Sequence, residues 1–233
     1  MNTHQDPRTP DLFPTELKEA EQQKANAIFC ASTVRIIGDQ NPENPREFMA
    51  EQATMVCRHP RYHLGDEESP GLINSMHGIL EDLDEDLDED IDEAEVYAIF
   101  YATDKLIALP LYLYDHSGIT MNTTGFSCGW DSGQVGFIWV SQKQAQDQWP
   151  TTDGETEYDW QERVKRYLEG DVSVYDQYLR GDVYGFVVED EDGEELDSCW
   201  GFYGSDIATN GILAHLPKCL HEKAEAAEIE YGY

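Results

Sequence analysis

The stretch from Leu109 to Val140, LPLYLYDHSGITMNTTGFSCGWDSGQVGFIWV, constrains the fold of this chain more than any other part of the sequence. Leu109–Tyr114 is a nearly continuous apolar run, which is typical of a strand buried on both faces. Ile119–Thr124 alternates apolar and polar residues and contains three threonines, as half-buried strands do. After the glycine-rich loop Gly125–Gly133, Val135–Val140 has the composition of another buried strand. The sequence therefore predicts three short strands joined by turns.

Two further runs stand out beside this one. They are TMVCRHPRYHLGDE (Thr54–Glu67), which follows Asn44-Pro45-Arg46, and YDQYLRGDVYGFVVE (Tyr175–Glu189). Together the runs, which lie within roughly residues 33–204, resemble an uncharacterised protein family carried by phages and mobile elements, with WDSGQVGFI as the most specific motif. The resemblance implies a phage-type protein that acts inside a cell. It implies no catalytic residues.

The rest of the chain mixes helical and strand patterns without the βαβ alternation of parallel sheets. Thr15–Ala31 and Tyr158–Leu179 contain helix formers in helical spacing, and Gly170-Asp171 predicts a break in the second helix. Val96–Thr103, VYAIFYAT, is apolar and aromatic enough to predict a buried strand. Asp182–Tyr203 has the pattern of a β-hairpin, with Asp-Gly in its turn. The predicted fold class is α+β, with a mostly antiparallel central sheet flanked by helices.

The predicted division of the chain has three parts. Residues 1–32 form an N-terminal arm and helix, residues 33–204 form a single α+β core domain with an acidic helical insert at 81–95, and residues 205–233 form C-terminal helices. A chain of 233 residues can bury a sizeable core, and its 40% hydrophobic content is that of a folded protein.

Charge is the feature of the composition that bears most on function. The chain has 48 acidic and 15 basic residues, a formal net charge of −33. Such a charge repels nucleic acid and anionic membranes and favours a basic partner. We therefore expect no direct nucleic-acid binding and no membrane binding. Adaptation to high salt is the alternative explanation, but here the acidic residues are concentrated in a few places.

The strongest concentration is Glu81–Glu95, EDLDEDLDEDIDEAE, in which eleven of fifteen residues are acidic. Leu83, Leu87 and Ile91 recur within it at the spacing of one helical face. As a helix continuing from Leu80 it would carry about one charge per 2 Å, close to the one per ~1.7 Å of duplex DNA. This spacing predicts a mimic of the phosphate backbone. A solvated acidic linker and a calcium site are the alternatives, although the glycine of an EF-hand loop is missing.

The tip of the predicted hairpin, Glu189–Glu195, forms a second acidic cluster. Carboxylates spaced like phosphates can meet the Lys and Arg residues that bind nucleic acid. We expect the contact with a basic partner to be made by the acidic residues of these two clusters: Asp82, Asp84, Glu85, Asp86, Asp88, Glu89, Asp90, Asp92, Glu93, Glu189, Asp190, Glu191, Asp192, Glu194 and Glu195.

The cysteines and the chain ends indicate where the protein acts. Five cysteines without tight spacing favour reduced thiols in a cytoplasm over a disulfide scaffold. No apolar stretch approaches the ~20 residues that span a bilayer. The N-terminus lacks the order of a signal peptide. We therefore expect the cytoplasm of a host cell.

Two other kinds of site deserve comparison with the acidic clusters. The first is a small enzyme or ligand-binding site around His116 and Cys128, with Asp115, Trp130 and Asp131 nearby, because a nucleophile needs a base within reach. Local turn chemistry, in which Asp115 and Ser117 bond to backbone donors and His116 packs or bonds locally, explains these residues better.

The second is a metal site at Cys57, His59 and His63. A structural zinc site has four ligands, and the sequence contains no second motif that would supply the remaining ligand. We expect no cofactor and no metal.

The sequence thus predicts a non-enzymatic inhibitor of phage type. It would be a DNA mimic, in character like acidic anti-restriction and anti-CRISPR proteins, that occupies the nucleic-acid channel of a host restriction, CRISPR or other nuclease. Its partner would be a basic subunit of such a defence nuclease. An acidic accessory protein of a phage particle remains an alternative function. The chain could also pair with a second copy of itself as a homodimer.

Overall fold

The computed structural model describes residues 28–49, 53–88 and 90–231. The chain divides into two compact units. One is the continuous stretch 41–183, and the other combines the described residues up to 40 with those from 184 onward. This division differs from the predicted one, in which residues 33–204 formed a single domain.

The strands are β1 (Thr33–Gly38), β2 (Thr54–Cys57), β3 (Glu67–Glu68), β4 (Leu106–Asp115), β5 (Ile119–Asn122), β6 (Ser132–Ser141), β7 (Val183–Glu189), β8 (Glu195–Tyr203) and β9 (Ile229–Glu230). The helices are α1 (Arg46–Met49), α2 (Leu72–Asp82), α3 (Glu93–Ala102), α4 (Gln142–Gln148), α5 (Glu157–Arg180), α6 (Ile212–His215) and α7 (His221–Ala226), with a 3₁₀ turn at Lys218–Leu220. Residues 28–31 are also helical.

The unit formed by residues 41–183 has a five-stranded sheet in the order β3-β2-β6-β4-β5. Only the β2–β3 pair is parallel. Both faces are covered. The apolar face of α5, including Trp160, Val164 and Leu168, packs with Ile138 and Val140 on one side.

The other face of this sheet is covered by α2 and α3. Met76 and Leu80 of α2, and Val96 and Phe100 of α3, pack with Phe137 of β6. The two strands at the centre of the unit are therefore buried on both sides. A glycine is required within β6, since a Cβ on Gly136 would lie 2.2 Å from the Val56 carbonyl oxygen of β2.

The other unit has a four-stranded sheet in the order β8-β7-β1-β9. β1 is antiparallel to β7, with Thr33 opposite Glu189, and parallel to β9. Its core includes Ile36, Phe186 and Leu220. A disulfide joins Cys30 to Cys219, which are 189 residues apart in sequence. Lys223 donates to the carbonyl oxygens of residues 30 and 32 at 3.0 and 2.7 Å. These hydrogen bonds and the disulfide both link the N-terminal piece of the unit to its C-terminal piece.

The α+β fold class is confirmed, with mostly antiparallel sheets. The three strands between Leu109 and Val140 are also confirmed as β4, β5 and β6. So is the hairpin, as β7 and β8. The long helix is present as α5, but it continues through Gly170-Asp171 without a break because Asp171 and Val172 are buried on its packed face. It ends at Gly181, whose φ of 73° is the left-handed conformation that favours glycine.

Several predictions about local structure were wrong. The expected strand Val96–Thr103 is the greater part of α3, because Asp92 and Glu95 form a capping box that starts a helix there. The expected single central sheet is two separate sheets. The predicted C-terminal helices are shorter than expected: α6, the 3₁₀ turn and α7 replace them, and the chain then joins the sheet as β9. All but the end of the predicted N-terminal helix lies outside the described residues.

The expectation of reduced thiols is also corrected for one pair. The sequence separation of Cys30 and Cys219 gives no hint of their pairing, because β1, β9 and α7 bring them together only in the folded unit. Cys57, Cys128 and Cys199 are free.

Within residues 28–49, 53–88 and 90–231, none of the helices has the length and the hydrophobicity needed to cross a bilayer.

Candidate functional site: two acidic clusters and a cleft

The run Glu81–Glu95, called here the acidic segment, is not one helix. Helix α2 ends at Asp82, the chain turns at Asp84 with a φ of 55°, and α3 begins only at Glu93. A continuous helix would place like charges at i and i+4 over several turns, which is unfavourable. Aspartate is also a poor helix former. The prediction of an acidic helix from Leu80 to Glu95 was therefore wrong.

The apolar residues of the acidic segment nevertheless have the role that their spacing suggested. Leu83, Leu87 and Ile91 are partly buried against the cluster that contains Phe100 and Phe137. The exposed residues alternate with them along the chain. The segment is thus fixed to the unit by its apolar side chains, and the acidic side chains at 82, 84, 86, 88 and 90 are exposed.

Two of the predicted partner-binding residues in this segment have structural contacts of their own. Glu85 lies 3.2 Å from Lys105 Nζ and accepts a hydrogen bond of 3.0 Å from the Thr103 hydroxyl. Asp92 accepts from the Glu95 backbone N–H at 2.9 Å and caps α3. These carboxylates stabilise the segment and are less available to a partner.

The hairpin tip Glu189–Glu195 divides in the same way. Glu189 pairs with Arg35 at 3.0 Å. Asp190 Oδ1 accepts from the backbone N–H groups of Asp192 and Glu194, both at 2.9 Å. Glu195 accepts from the Ser198 hydroxyl at 2.8 Å. Three of the six acidic side chains of the tip therefore have structural contacts.

The remaining predicted residues are exposed, and their carboxylates have no side-chain or backbone partner among the described residues: Asp82, Asp84, Asp86, Asp88, Asp90 and Glu93 in the segment, and Glu191, Asp192 and Glu194 at the tip. Glu89 lies outside the described residues. The two clusters belong to different units, so each is a separate candidate surface.

The alternative site around His116 and Cys128 is an exposed turn. His116 Nδ1 lies 3.4 Å from Asp131 Oδ2, and both side chains are more than 40% exposed. The backbone carbonyl of Cys128 accepts the Ser132 hydroxyl. These contacts order the glycine-rich loop.

The metal alternative finds little support in the same region. Burial raises the pKa of Cys57 to about 12, so its thiol does not ionise at neutral pH. His63 is almost fully exposed and lies 3.5 Å from Glu68. In the described ranges no three His, Cys, Asp or Glu side chains are grouped as metal ligands.

The sequence did not predict the cleft that lies at one end of the five-stranded sheet. β2 and β4 end there and β6 begins there, because both are antiparallel to β6. The cleft has a volume of about 280 Å³ and is lined by His59, Arg61, Asp115, Trp130 and Asp131, above Leu113 and Val135. Asp115 and Trp130 could be singled out from the sequence, but nothing there placed residues 59 and 61 beside them.

The loop that carries His59 and Arg61 is anchored by a buried ion group. Arg46, whose side chain is 2% exposed, donates to both oxygens of Asp66 at 2.9 and 2.6 Å. Its Nη1 lies 3.6 Å from Asp171 Oδ2 of α5. Burial raises the pKa of Asp171 to about 6. The Gly65 backbone N–H donates a hydrogen bond of 2.9 Å to the Tyr175 hydroxyl oxygen.

No protein-family model, curated protein or solved structure matches the chain.

Proposed function

We propose that this protein is an anti-defence inhibitor of phage type that acts as a mimic of the DNA phosphate backbone. The observation that carries the proposal is the acidic segment. Its carboxylates at residues 82, 84, 86, 88 and 90 are exposed, while Leu83, Leu87 and Ile91 hold the backbone against the core. In a solvated linker we would expect no apolar side chains packed on the core between the charges.

Electrostatics supports a basic partner of the kind that normally binds DNA. A net charge of −33 repels nucleic acid itself and attracts a surface that evolved to bind phosphates. The proposed partner is a basic subunit of a host restriction, CRISPR or other nuclease. Because exposed charges are screened beyond about 10 Å at 0.1 M salt, such binding weakens steeply as salt is added.

The irregular shape of the segment alters the form of the proposed mimicry. A straight acidic rod would match one groove of a duplex-binding channel along its length. Here the turn at Asp84 and the cap at Asp92 give the charges a bent path between α2 and α3. The proposal is therefore that the segment replaces a short bent stretch of phosphates.

The test is a pull-down from host lysate at low and high salt, followed by competition with duplex DNA. The key variant replaces Asp84, Asp86, Asp88 and Asp90 by asparagine. Asparagine tolerates the left-handed backbone at residue 84, so the fold is preserved there. A matched control neutralises four exposed acids elsewhere in the same unit, Asp104, Asp147, Asp153 and Glu169.

We expect a DNA-binding or nuclease subunit to be captured at low salt and released by duplex DNA. The segment variant should lose this capture and the control variant should keep it, although both change the net charge equally. Equal loss in the two variants would reduce the effect to overall charge. Capture of no such subunit at low salt contradicts the proposal.

A cytoplasmic site of action follows from this proposal and has its own test. The cytoplasm keeps thiols reduced, whereas the structure pairs Cys30 with Cys219. Mass spectrometry of alkylated protein from host cells would show whether this pair is oxidised there. A fully oxidised pair would contradict the cytoplasmic location and favour an oxidising compartment.

A further inference from the structure

The most exposed large apolar side chain in the described part of the chain is Trp130, at 96%. Tryptophan presents an apolar surface of about 200 Å², and it is enriched among the residues that dominate binding interfaces. Its neighbours are well fixed. Asp115 donates its backbone N–H to the Asp131 carbonyl at 2.8 Å, and the Ser132 hydroxyl bonds to the Cys128 carbonyl. Hydrogen bonds therefore order the loop that carries Trp130, and its indole is exposed to solvent.

The cleft beside Trp130 does not have the arrangement of a catalytic site. His59 is the only histidine that lines it. The Arg61 backbone N–H donates to His59 Nδ1 at 3.3 Å, so the ring proton lies on Nε2, which faces Asp115 Oδ2 at 3.8 Å. Burial lowers the pKa of His59 and keeps the ring neutral at pH 7. The unprotonated ring nitrogen, Nδ1, is therefore already engaged by the backbone.

The size of the cleft argues for a side chain as its ligand. Pockets that enclose a whole small molecule have volumes of about 300–1,000 Å³. The volume of about 280 Å³ falls just below this range, and the floor formed by Leu113 and Val135 is apolar.

The charges around Trp130 decide which side chain fits. Arg61 is paired with Asp115, so these two charges compensate each other. Asp131 remains, with an exposed His116 at 3.4 Å. An added anion would meet Asp131 and the field of a chain with a net charge of −33. A cation would meet an indole face and a carboxylate.

We infer that the Trp130 cleft binds an arginine side chain of a basic protein partner, with the guanidinium stacked on the Trp130 indole and paired with Asp131. Arginine fits better than lysine because its planar group stacks on an aromatic ring and can pair with a carboxylate through two hydrogen bonds. The inference rests on the proposed function for the basic character of the partner. It adds a specific anchor in the same unit as the acidic segment.

The experiment uses the full-length protein and two synthetic peptides, one with arginine alternating with glycine and one with lysine in place of arginine. Binding is measured by titration calorimetry, and the indole N–H signal of Trp130 is followed by NMR, assigned with a Trp130→Phe variant. We expect the arginine peptide to bind more tightly than the lysine peptide and to shift the Trp130 signal. Trp130→Ala should weaken arginine binding by about two- to fivefold, the usual size of an exposed cation–π contact, and should abolish the preference for arginine.

Asp131→Asn should weaken arginine binding as well. The matched control is Tyr158→Ala, which removes another exposed aromatic side chain of the same unit and should change nothing. Adenosine monophosphate serves as an anionic probe, because the exposed Arg61 lines the cleft.

The inference is overturned if the Trp130 signal stays fixed on addition of the arginine peptide, or if Trp130→Ala retains the preference for arginine. A shift caused by adenosine monophosphate alone would replace it with an anion site. The variant with Asp84, Asp86, Asp88 and Asp90 neutralised separates the two proposals. It should lower the affinity for both peptides and leave the preference for arginine intact, whereas the proposed function is judged by the pull-down.

Discussion

The acidic segment and the hairpin tip both consist mainly of Asp and Glu, yet the protein holds them in different ways. In the segment, Leu87 and its apolar neighbours pack on the core, and the backbone between them is irregular. At the tip no apolar residue interrupts the run, and its shape comes from the hydrogen bonds of Asp190 and the left-handed Gly193. Packing positions one set of charges and backbone hydrogen bonds position the other.

The units that carry the two runs differ in the same sense. The segment belongs to a continuous stretch of chain with a sheet covered on both faces, while the tip belongs to a unit assembled from two distant pieces of the chain. The Cys30–Cys219 bond links these two pieces covalently. The runs should therefore respond differently to reduction, to core mutations and to pH.

Reduction should give the largest difference. Replacing Cys30 and Cys219 by alanine should lower the free energy of unfolding of the tip's unit by about 5 kcal/mol, the loop-entropy value for a loop this long. The segment's unit contains neither cysteine and should keep its stability. Hydrogen exchange resolved by residue measures both units in one sample. Equal destabilisation of the two units would show that they unfold together.

Removing the apolar contacts of the segment should have the next largest effect. Leu87→Ala with Ile91→Ala should cost about 3 kcal/mol, since fully buried leucines cost 2–5 kcal/mol each and these side chains are only partly buried. The matched change at the tip, Glu191→Ala with Glu194→Ala, should stay within about 0.5 kcal/mol because it removes no packing. Urea unfolding of both variants gives the comparison. A segment variant as stable as the wild type would mean that the apolar contacts do not hold the segment.

The segment's unit should also respond to pH through Asp171, the only acid among the described residues of either unit that is buried. Burial raises its pKa in the folded state to about 6, above the ordinary 3.8. The folded state therefore binds more protons between about pH 4 and 6, and the contribution of this group to stability falls as pH rises through that window.

Asp171→Asn should remove this dependence, which is at most about 3 kcal/mol. The measurement is the difference in unfolding free energy between wild type and variant at pH 4.5 and pH 7, which cancels the general effect of relieving charge repulsion. A difference that does not change with pH would contradict the raised pKa.

Neutralising the exposed carboxylates should have the smallest effect on stability. Asp84, Asp86, Asp88 and Asp90 repel one another, so their replacement by asparagine should raise the free energy of unfolding slightly, by less than about 1 kcal/mol in total. The gain should shrink in 0.5 M salt, because salt already screens these charges. Thermal unfolding at both salt concentrations is the check. A loss of stability would reveal structural contacts for these side chains.

The sequence predicted the elements whose pattern is local. The strands between Leu109 and Val140 follow from residue spacing. The start of α3 was readable too, since Asp92 and Glu95 have the spacing of a capping box, but the aromatic content of VYAIFYAT outweighed that signal.

The sequence did not predict which distant residues contact each other. The pairing of Cys30 with Cys219, and the meeting of the 58–61 loop with Asp115 and Trp130, depend on which strands lie side by side. The acidic residues of the candidate surfaces were identifiable from composition alone. Which of them are occupied by structural contacts, as Glu85 and Asp190 are, was not.

The Cys30–Cys219 bond also determines how a cleaved molecule behaves. Any single cut by a protease between these residues opens the chain but leaves both fragments covalently joined. The nicked protein therefore migrates as one species on a non-reducing gel and separates into two bands only after reduction. Damage to an exposed loop of the segment's unit stays invisible until a reductant is added, and fragment sizes then locate the cut.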